Sequence, residues 1–120
     1  MAITILHWNA RSIFKKLSEL KQYLAGLTII CIKETHLTPK YHPVFPNYTI
    51  LRQDRPPIRG KGGGLLICVK SSLEFSEVQL SGPSTRLEVL GVSVGGFAIF
   101  NVYNPPSHCM QTENFVSLKI

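Results

Sequence analysis

The chain has 120 residues, 44% of them apolar, so it is large enough for one packed domain and too apolar to be disordered throughout. Thirteen Lys and Arg against seven Asp and Glu give a formal net charge of +6, which favours a polyanionic partner such as nucleic acid without requiring one. The sequence has no secretory signal, no membrane-length apolar run, and no disulfide or zinc pattern among its three cysteines. We therefore expect an intracellular protein, nuclear or cytoplasmic, that contacts no membrane.

The first predicted elements are a strand, a helix and a second strand. Residues 3–8 are apolar and β-branched and end at Asn9, after which Ser12 offers a cap to a helix that closes at Gly26. Residues 29–32 form a continuous apolar run that leads through Lys33 to a carboxylate, Glu34. A helical crossover between two strands predicts that they pair in parallel.

Strand-like runs follow at residues 48–53, 65–69, 87–94 and 97–102. Gly95-Gly96 joins the last two runs and predicts an antiparallel hairpin. The intervening segment 54–64, DRPPIRGKGGG, is interpreted as an exposed turn, and the tail from Thr112 begins like a helix without completing an apolar face. Parallel and antiparallel pairing together with one helix predict an α+β fold of mixed sheets.

Two polar residues stand at the ends of the first two strands. Ligands gather where parallel strands end, and a carboxylate such as Glu34 suits a hard divalent cation. Asn9 can donate to a phosphate or orient its neighbour. Each has a plain alternative, since Glu34 can open a solvated turn and Asn9 can cap the segment that follows.

Tyr103 follows the last predicted strand and can present its phenol to a phosphate oxygen, or lie at the rim of the core with only its hydroxyl exposed. The charged group in segment 54–64 and just before it can contact a phosphate backbone, or form an ordinary solvated loop. Its members are Arg52, Asp54, Arg55, Arg59 and Lys61.

Two other motifs do not support a site. The GKGGG segment, residues 60–64, lacks the Lys-Ser/Thr of a phosphate-binding loop and precedes a strand, so a turn or strand-entry bulge is favoured. His36 has no Cys or His at ligand spacing.

Five segments in order resemble the first half of an endonuclease–exonuclease–phosphatase domain: ITILHWNARSI, IICIKETHL, YTILRQDRP with GGGLLICVKSS, LEVLGVSV and FNVYNPPS. More narrowly, they resemble the apurinic-type endonuclease domain of non-LTR retrotransposons, in the pol-like proteins of jockey-type elements. The resemblance implies a DNase I-like, four-layered α/β sandwich that cleaves DNA with Mg²⁺, or Mn²⁺ in its place.

In that scheme Asn9 positions the phosphate, Glu34 binds the metal and Tyr103 contacts the scissile phosphate. Glu88 matches a recurrent family position without an assigned role. From the charged segment itself, and not from the resemblance, we expect Arg55, Arg59 and Lys61 to contact DNA. The resemblance also implies a parent protein linked to a reverse transcriptase, for which the nick exposes a priming 3′ hydroxyl.

Two departures from that pattern matter. Lys33 stands where the family usually has Gln, and a cation there would weaken metal binding, although alternation along a strand predicts that Lys33 and Glu34 face opposite ways. The Asp-x-Asn and Asp-His motifs of the second half have no match in this sequence. We therefore expect residues 1–120 to be a partial domain that is inactive and poorly stable alone. The alternatives are a cellular apurinic endonuclease or phosphatase of the same superfamily, and a decayed or domesticated basic fragment that only binds nucleic acid.

Overall fold

The computed structural model describes residues 3–22, 26–60, 62–79 and 87–104. Lys61 and the predicted helical tail from Thr112 lie outside these residues. The strands are β1 Ile5–Asn9, β2 Ile29–Lys33, β3 Tyr48–Gln53, β4 Leu65–Lys70, β5 Phe75–Val78, β6 Glu88–Val94 and β7 Phe97–Tyr103. The helices are α1 Leu17–Gln22 and two 3-10 turns, Phe14–Lys16 and Pro57–Arg59.

Sheet A has the strand order β1-β2-β4-β3. The predicted parallel pairing of β1 with β2 is confirmed, with Asn9 opposite Lys33, while β4 runs antiparallel to both β2 and β3. The two central strands are buried along almost their whole length, as expected for continuous apolar runs covered on both faces.

Sheet B is antiparallel, in the order β5-β6-β7. The predicted hairpin between β6 and β7 is confirmed, and both residues of its Gly95-Gly96 turn have positive φ, which glycine adopts without a steric penalty. The sequence analysis missed β5, because the edge sequence FSEV carries only two apolar residues.

The two sheets pack face to face through strands β2, β3 and β4 of one and β6 and β7 of the other. One apolar cluster fills the space between them, and a second lies between sheet A, α1 and the loop that precedes β3. The predicted α+β class with mixed sheets is therefore correct. No helix in the described ranges is long and apolar enough to cross a bilayer.

The helix begins later than predicted, and the cap assigned to Ser12 is wrong. Ser12 has φ +87°, and Ile13 precedes the first 3-10 turn without a side-chain cap. The reason is that the chain after β1 continues alongside β2: the amides of Ala10, Ser12 and Ile13 donate to the carbonyls of residues 33, 34 and 35. Only after this added pairing does the chain turn into the helix.

Candidate active site at one rim of the sandwich

Three residues singled out from the sequence meet at one edge of the sandwich. This edge, called the site rim below, is formed by the last residues of β1, β2, β3 and β7 and the first residues of β4 and β6. Asn9 ends β1, Glu34 follows β2 directly, and Tyr103 ends β7 in the other sheet. The strands therefore bring Asn9, Glu34 and Tyr103 together although 94 positions separate the first from the last.

The backbone around Glu34 is held on two sides. The Ser12 amide donates to the Glu34 carbonyl (2.9 Å), and on the other side the amides of Thr35 and His36 donate to the carbonyls of Gly64 (3.2 Å) and Gly63 (2.8 Å). Glu34 itself has φ +53°, a left-handed conformation that is uncommon for a residue with a side chain and clusters at functional sites. These bonds fix a carboxylate at a point where regular strand geometry has ended.

The Glu34 carboxylate connects the two sheets. The Tyr103 hydroxyl donates to Glu34 Oε1 at 2.8 Å, and the Asn9 side-chain amide donates to the same carboxylate. Partial burial raises the pKa of Glu34, but these hydrogen bonds and the positive charges of His36 and Arg11 outweigh it, so the pKa lies below the ordinary value. Glu34 is therefore ionised at neutral pH.

The same contact acts on Tyr103. Burial, the hydrogen bond to Glu34 and the negative charge of Glu34 raise the pKa of Tyr103 to about 12, and the neighbouring Arg55 opposes this. The phenol accordingly stays protonated through the physiological range and remains a donor. The Tyr103 ring packs against the core between the sheets, as its plain alternative expects, and its hydroxyl at the rim contacts the candidate metal ligand.

Asn101 lies beneath this contact, two residues before Tyr103, and was missed from the sequence. It is 1% exposed, and its Nδ2 donates to the carbonyls of Ile32 (3.0 Å) and Leu66 (3.1 Å) in the opposite sheet. Its Oδ1 has no hydrogen-bond partner among the described residues. A buried amide that crosses between the sheets fixes the spacing from which Tyr103 reaches Glu34.

A second carboxylate at the site rim, Glu88, is used differently. It is 8% exposed, accepts from the Gly64 amide at 2.9 Å, and forms an ion pair with Arg55 at 2.7 Å. A Cβ added at Gly63 would approach the Arg55 guanidinium to 2.3 Å, so glycine is required for Arg55 to cross this loop. The described glycines of this segment all have positive φ, and Gly63 and Gly64 are buried, so the prediction that they are exposed is wrong.

The basic residues of the segment predicted to contact DNA differ in burial and in ion pairing. Arg55 is half-buried and turned toward Glu88, which corrects its interpretation as part of an exposed turn. Arg52 is likewise bound to Asp54 at 2.7 Å, whereas Arg59 is exposed. The burial of Arg55 follows from an ion pair across 33 residues that no local pattern reveals.

Lys33 occupies the face of β2 that looks toward sheet B. By alternation it shares this face with Cys31, which belongs to the cluster between the sheets. The left-handed backbone at Glu34 breaks the alternation, so Glu34 also reaches toward sheet B, contrary to the prediction that the two side chains face opposite ways. Burial lowers the pKa of Lys33. His7 lies opposite Cys31 on the neighbouring strand β1, and its pKa is lowered by burial and by the positive charge of Lys33.

The donor set around Glu34 fits a loosely held hard cation. The described residues contain no cluster of three or more His, Cys, Asp or Glu side chains that could hold a metal. Mg²⁺, however, is commonly bound through one or two carboxylates, with waters and substrate phosphates as its other ligands. One ionised carboxylate oriented by two neutral donors meets the protein's share of that requirement.

Comparison with known proteins identifies the fold. The chain superposes on a 3′ phosphatase, NExo, from Neisseria bound to a product DNA hairpin, with TM-score 0.62 and 21% identity over 85% of this chain and 41% of that one. It also superposes on a 3′–5′ exonuclease, NExo, from Neisseria meningitidis, with TM-score 0.60 and 22% identity over 82% and 40% of the two chains. No known family profile and no curated protein matches the sequence. The chain therefore has a partial DNase I-like fold and spans about two fifths of the length of these structures.

Proposed function

We propose that the chain is the N-terminal part of a divalent-metal-dependent phosphodiesterase domain that acts on DNA. The observation that supports this most directly is the Glu34 corner. An ionised carboxylate is held there at the edge of a DNase I-like half-sandwich by Tyr103 and Asn9. Neutral donors orient the carboxylate without cancelling its charge, as a cation ligand requires.

In this proposal Glu34 holds the cation, and Asn9 and Tyr103 fix the direction of its carboxylate. A Mg²⁺ ion held by Glu34 would supply positive charge near the phosphate oxygens of the substrate. The high pKa of Tyr103 keeps its hydroxyl a donor, so it can hold Glu34 or a phosphate oxygen throughout the physiological range. Asn101 sets the distance between the sheets on which this geometry depends.

DNA is the proposed substrate for two reasons. The chain carries a net charge of +6, and one structural neighbour was solved with a product DNA hairpin. The finer role, nicking target DNA so that the exposed 3′ hydroxyl primes reverse transcription, is supported by the sequence resemblance to jockey-type elements. We propose it as the role of the longer protein, with its reverse transcriptase.

A second candidate is processing of DNA 3′ ends, as a phosphatase or exonuclease. It is favoured by the names of the two structural neighbours, a 3′ phosphatase and a 3′–5′ exonuclease. Three substrates separate the candidates: supercoiled plasmid reports internal nicking, a duplex ending in a 3′ phosphate reports phosphate release, and a 3′-hydroxyl end reports shortening. Release of phosphate or mononucleotides without plasmid nicking would replace the first proposal by the second.

We further propose that the 120-residue chain is inactive by itself. Asn9, Glu34 and Tyr103 supply a metal ligand and phosphate contacts but no general base, and general acid–base catalysis typically contributes about 10²–10⁴-fold to the rate. The test measures nicking of supercoiled plasmid, in Mg²⁺ or in EDTA, by the 120-residue chain and by the longer protein proposed to contain it. We expect nicking only by the longer protein, lost in Glu34→Gln. Nicking by the chain alone that disappears in Glu34→Gln would contradict the proposal of inactivity.

A non-catalytic, basic nucleic-acid-binding fragment makes the opposite prediction. Its DNA binding falls steeply with salt and is the same with Mg²⁺ or EDTA, and with Glu34 or Gln at position 34. If the longer protein binds in this way and cleaves none of the three substrates, the phosphodiesterase proposal is wrong.

A further inference from the structure

Two aromatic rings are exposed together on the surface beside the site rim. Phe14 is 38% exposed and Tyr41 is 52% exposed, and their ring centroids lie 4.6 Å apart at an interplanar angle of 65°. An edge-to-face contact stabilises such a pair, but here it leaves much of both rings in water. Contact between the two rings does not by itself explain why large aromatic side chains are kept at the surface.

The pair belongs to the two chain segments that leave the candidate site. Phe14 follows Ile13, whose amide donates to the carbonyl of Thr35, the residue after Glu34. Tyr41 lies in a turn of the loop that follows β2 and Glu34, and its amide donates to the Thr38 carbonyl. The aromatic pair is thus attached directly to the segments that carry Asn9 and Glu34.

The position of Tyr41 is fixed from behind by Arg52. Arg52 Nη1 donates to the Tyr41 carbonyl at 2.6 Å, and Nη2 donates to the Thr38 carbonyl at 3.1 Å. Asp54 holds the guanidinium in turn, at 2.7 Å. A ring on an anchored turn loses little freedom when a ligand stacks on it, and preorganisation of this kind favours binding.

The charge around the pair is positive. Arg11, Lys15 and Lys40 are exposed on the same two segments. Of the acidic side chains described at the site rim, Asp54 and Glu88 are each paired with an arginine, which leaves Glu34. Exposed aromatic rings among cationic side chains are how proteins bind unpaired nucleic-acid strands, by stacking on the bases and attracting the phosphates.

We propose that Phe14 and Tyr41 form a stacking platform for unpaired bases of a DNA strand next to the candidate site. The inference rests on the proposed function and deepens it: the preferred substrate carries a single-stranded flank or frayed end rather than a continuous duplex. Phe97 provides a matched comparison, because it is 55% exposed but begins β7 directly after the Gly95-Gly96 turn, at the opposite end of the strand from Tyr103.

The test measures binding of the whole chain to fluorescently labelled DNA in EDTA, where hydrolysis plays no part. One probe is a blunt duplex, and the other is the same duplex with a single-stranded overhang. Phe14→Leu and Tyr41→Leu keep apolar bulk but remove the ring, and each should weaken overhang binding about five- to tenfold. Blunt-duplex binding should change less than twofold, and Phe97→Leu should change neither. Equal thermal unfolding midpoints establish that the variants are folded.

Two conservative variants keep the test decisive if a leucine variant does not fold. Phe14→Tyr and Tyr41→Phe retain the rings and should keep the overhang preference, and a 2-aminopurine in the overhang should lose fluorescence when it stacks. Equal losses on both probes, no loss in the leucine variants, or absence of an overhang preference would overturn the platform. If the chain keeps its overhang preference but the longer protein cleaves none of the three substrates with Mg²⁺, only the proposed function is overturned.

Discussion

The two carboxylates at the site rim, Glu34 and Glu88, lie close to the same tyrosine and are used in opposite ways. Glu88 is nearly buried and its charge is met by Arg55 and the Gly64 amide. Glu34 is less buried and accepts from the neutral donors Tyr103 and Asn9. The difference indicates that Glu88 stabilises the loop beside the site, whereas Glu34 keeps its charge without an arginine partner, as the proposed cation ligand would.

The largest expected effect comes from breaking the structural carboxylate. Glu88→Gln removes the charge that balances Arg55, and breaking a buried ion pair by removing one partner typically costs about 3 kcal/mol. We expect urea unfolding to show that loss, whereas Glu34→Gln should change the free energy of unfolding by less than about 1 kcal/mol. Equal losses in the two variants would mean that the two carboxylates do not divide the roles in this way.

The loop that Glu88 anchors should also be sensitive to a single methyl group. A Cβ at Gly64, which has φ +95°, would lie 2.5 Å from the buried Thr35 hydroxyl, so Gly64→Ala combines a clash with backbone strain. We expect a loss of about 2–3 kcal/mol in the free energy of unfolding. Gly96→Ala is the control: its φ is +80° and nothing lies within 4 Å, so only the backbone cost of about 1 kcal/mol remains. A Gly64→Ala variant no less stable than Gly96→Ala would show that the loop does not pack tightly on Thr35.

The Glu34 corner should respond to pH through its hydrogen bonds. Because the pKa of Glu34 is lowered in the folded state, its contribution to stability is present above the unfolded-state pKa and is lost as the pH falls through the folded-state pKa. Tyr103→Phe removes one donor, so the pKa of Glu34 should rise toward its unfolded-state value, and the stability lost on acidification should be smaller and complete at a higher pH. A ¹³C NMR titration of the Glu34 carboxyl measures the shift directly, and an unchanged midpoint would contradict the role given to Tyr103.

The reciprocal effect, on Tyr103, is the smallest. Glu34→Gln removes the negative charge that raises the phenol pKa, so the pKa of Tyr103 should fall from about 12 toward the ordinary tyrosine value. Ultraviolet absorbance of the phenolate follows this titration, with Tyr103→Phe identifying the signal. A Tyr103 pKa that is the same in Glu34→Gln would mean that burial alone accounts for the shift.

The sequence predicted those elements of the fold that are determined by neighbouring residues along the chain. Continuous apolar runs located β2 and β4, the Gly95-Gly96 pair located a hairpin, and the crossover placed Asn9 beside the end of β2. Tyr103 was singled out by its place at a strand end and by the family resemblance, but its hydrogen bond to Glu34 was not predicted, because β7 lies in the other sheet and no spacing rule joins the two. The Arg55–Glu88 pair, the left-handed backbone of Glu34 and the buried Asn101 depend on contacts between sheets, which sequence periodicity does not report.

The central claim, that Glu34 is the carboxylate left for a cation, is tested most directly with Mn²⁺ alone. Backbone amide NMR signals of the ¹⁵N-labelled chain should broaden first around residues 9, 34 and 103 as Mn²⁺ is added, and excess Mg²⁺ should reverse the effect. In Glu34→Gln this local broadening should disappear while the spectrum stays folded. Broadening centred elsewhere, or the same broadening in Glu34→Gln, would contradict the account.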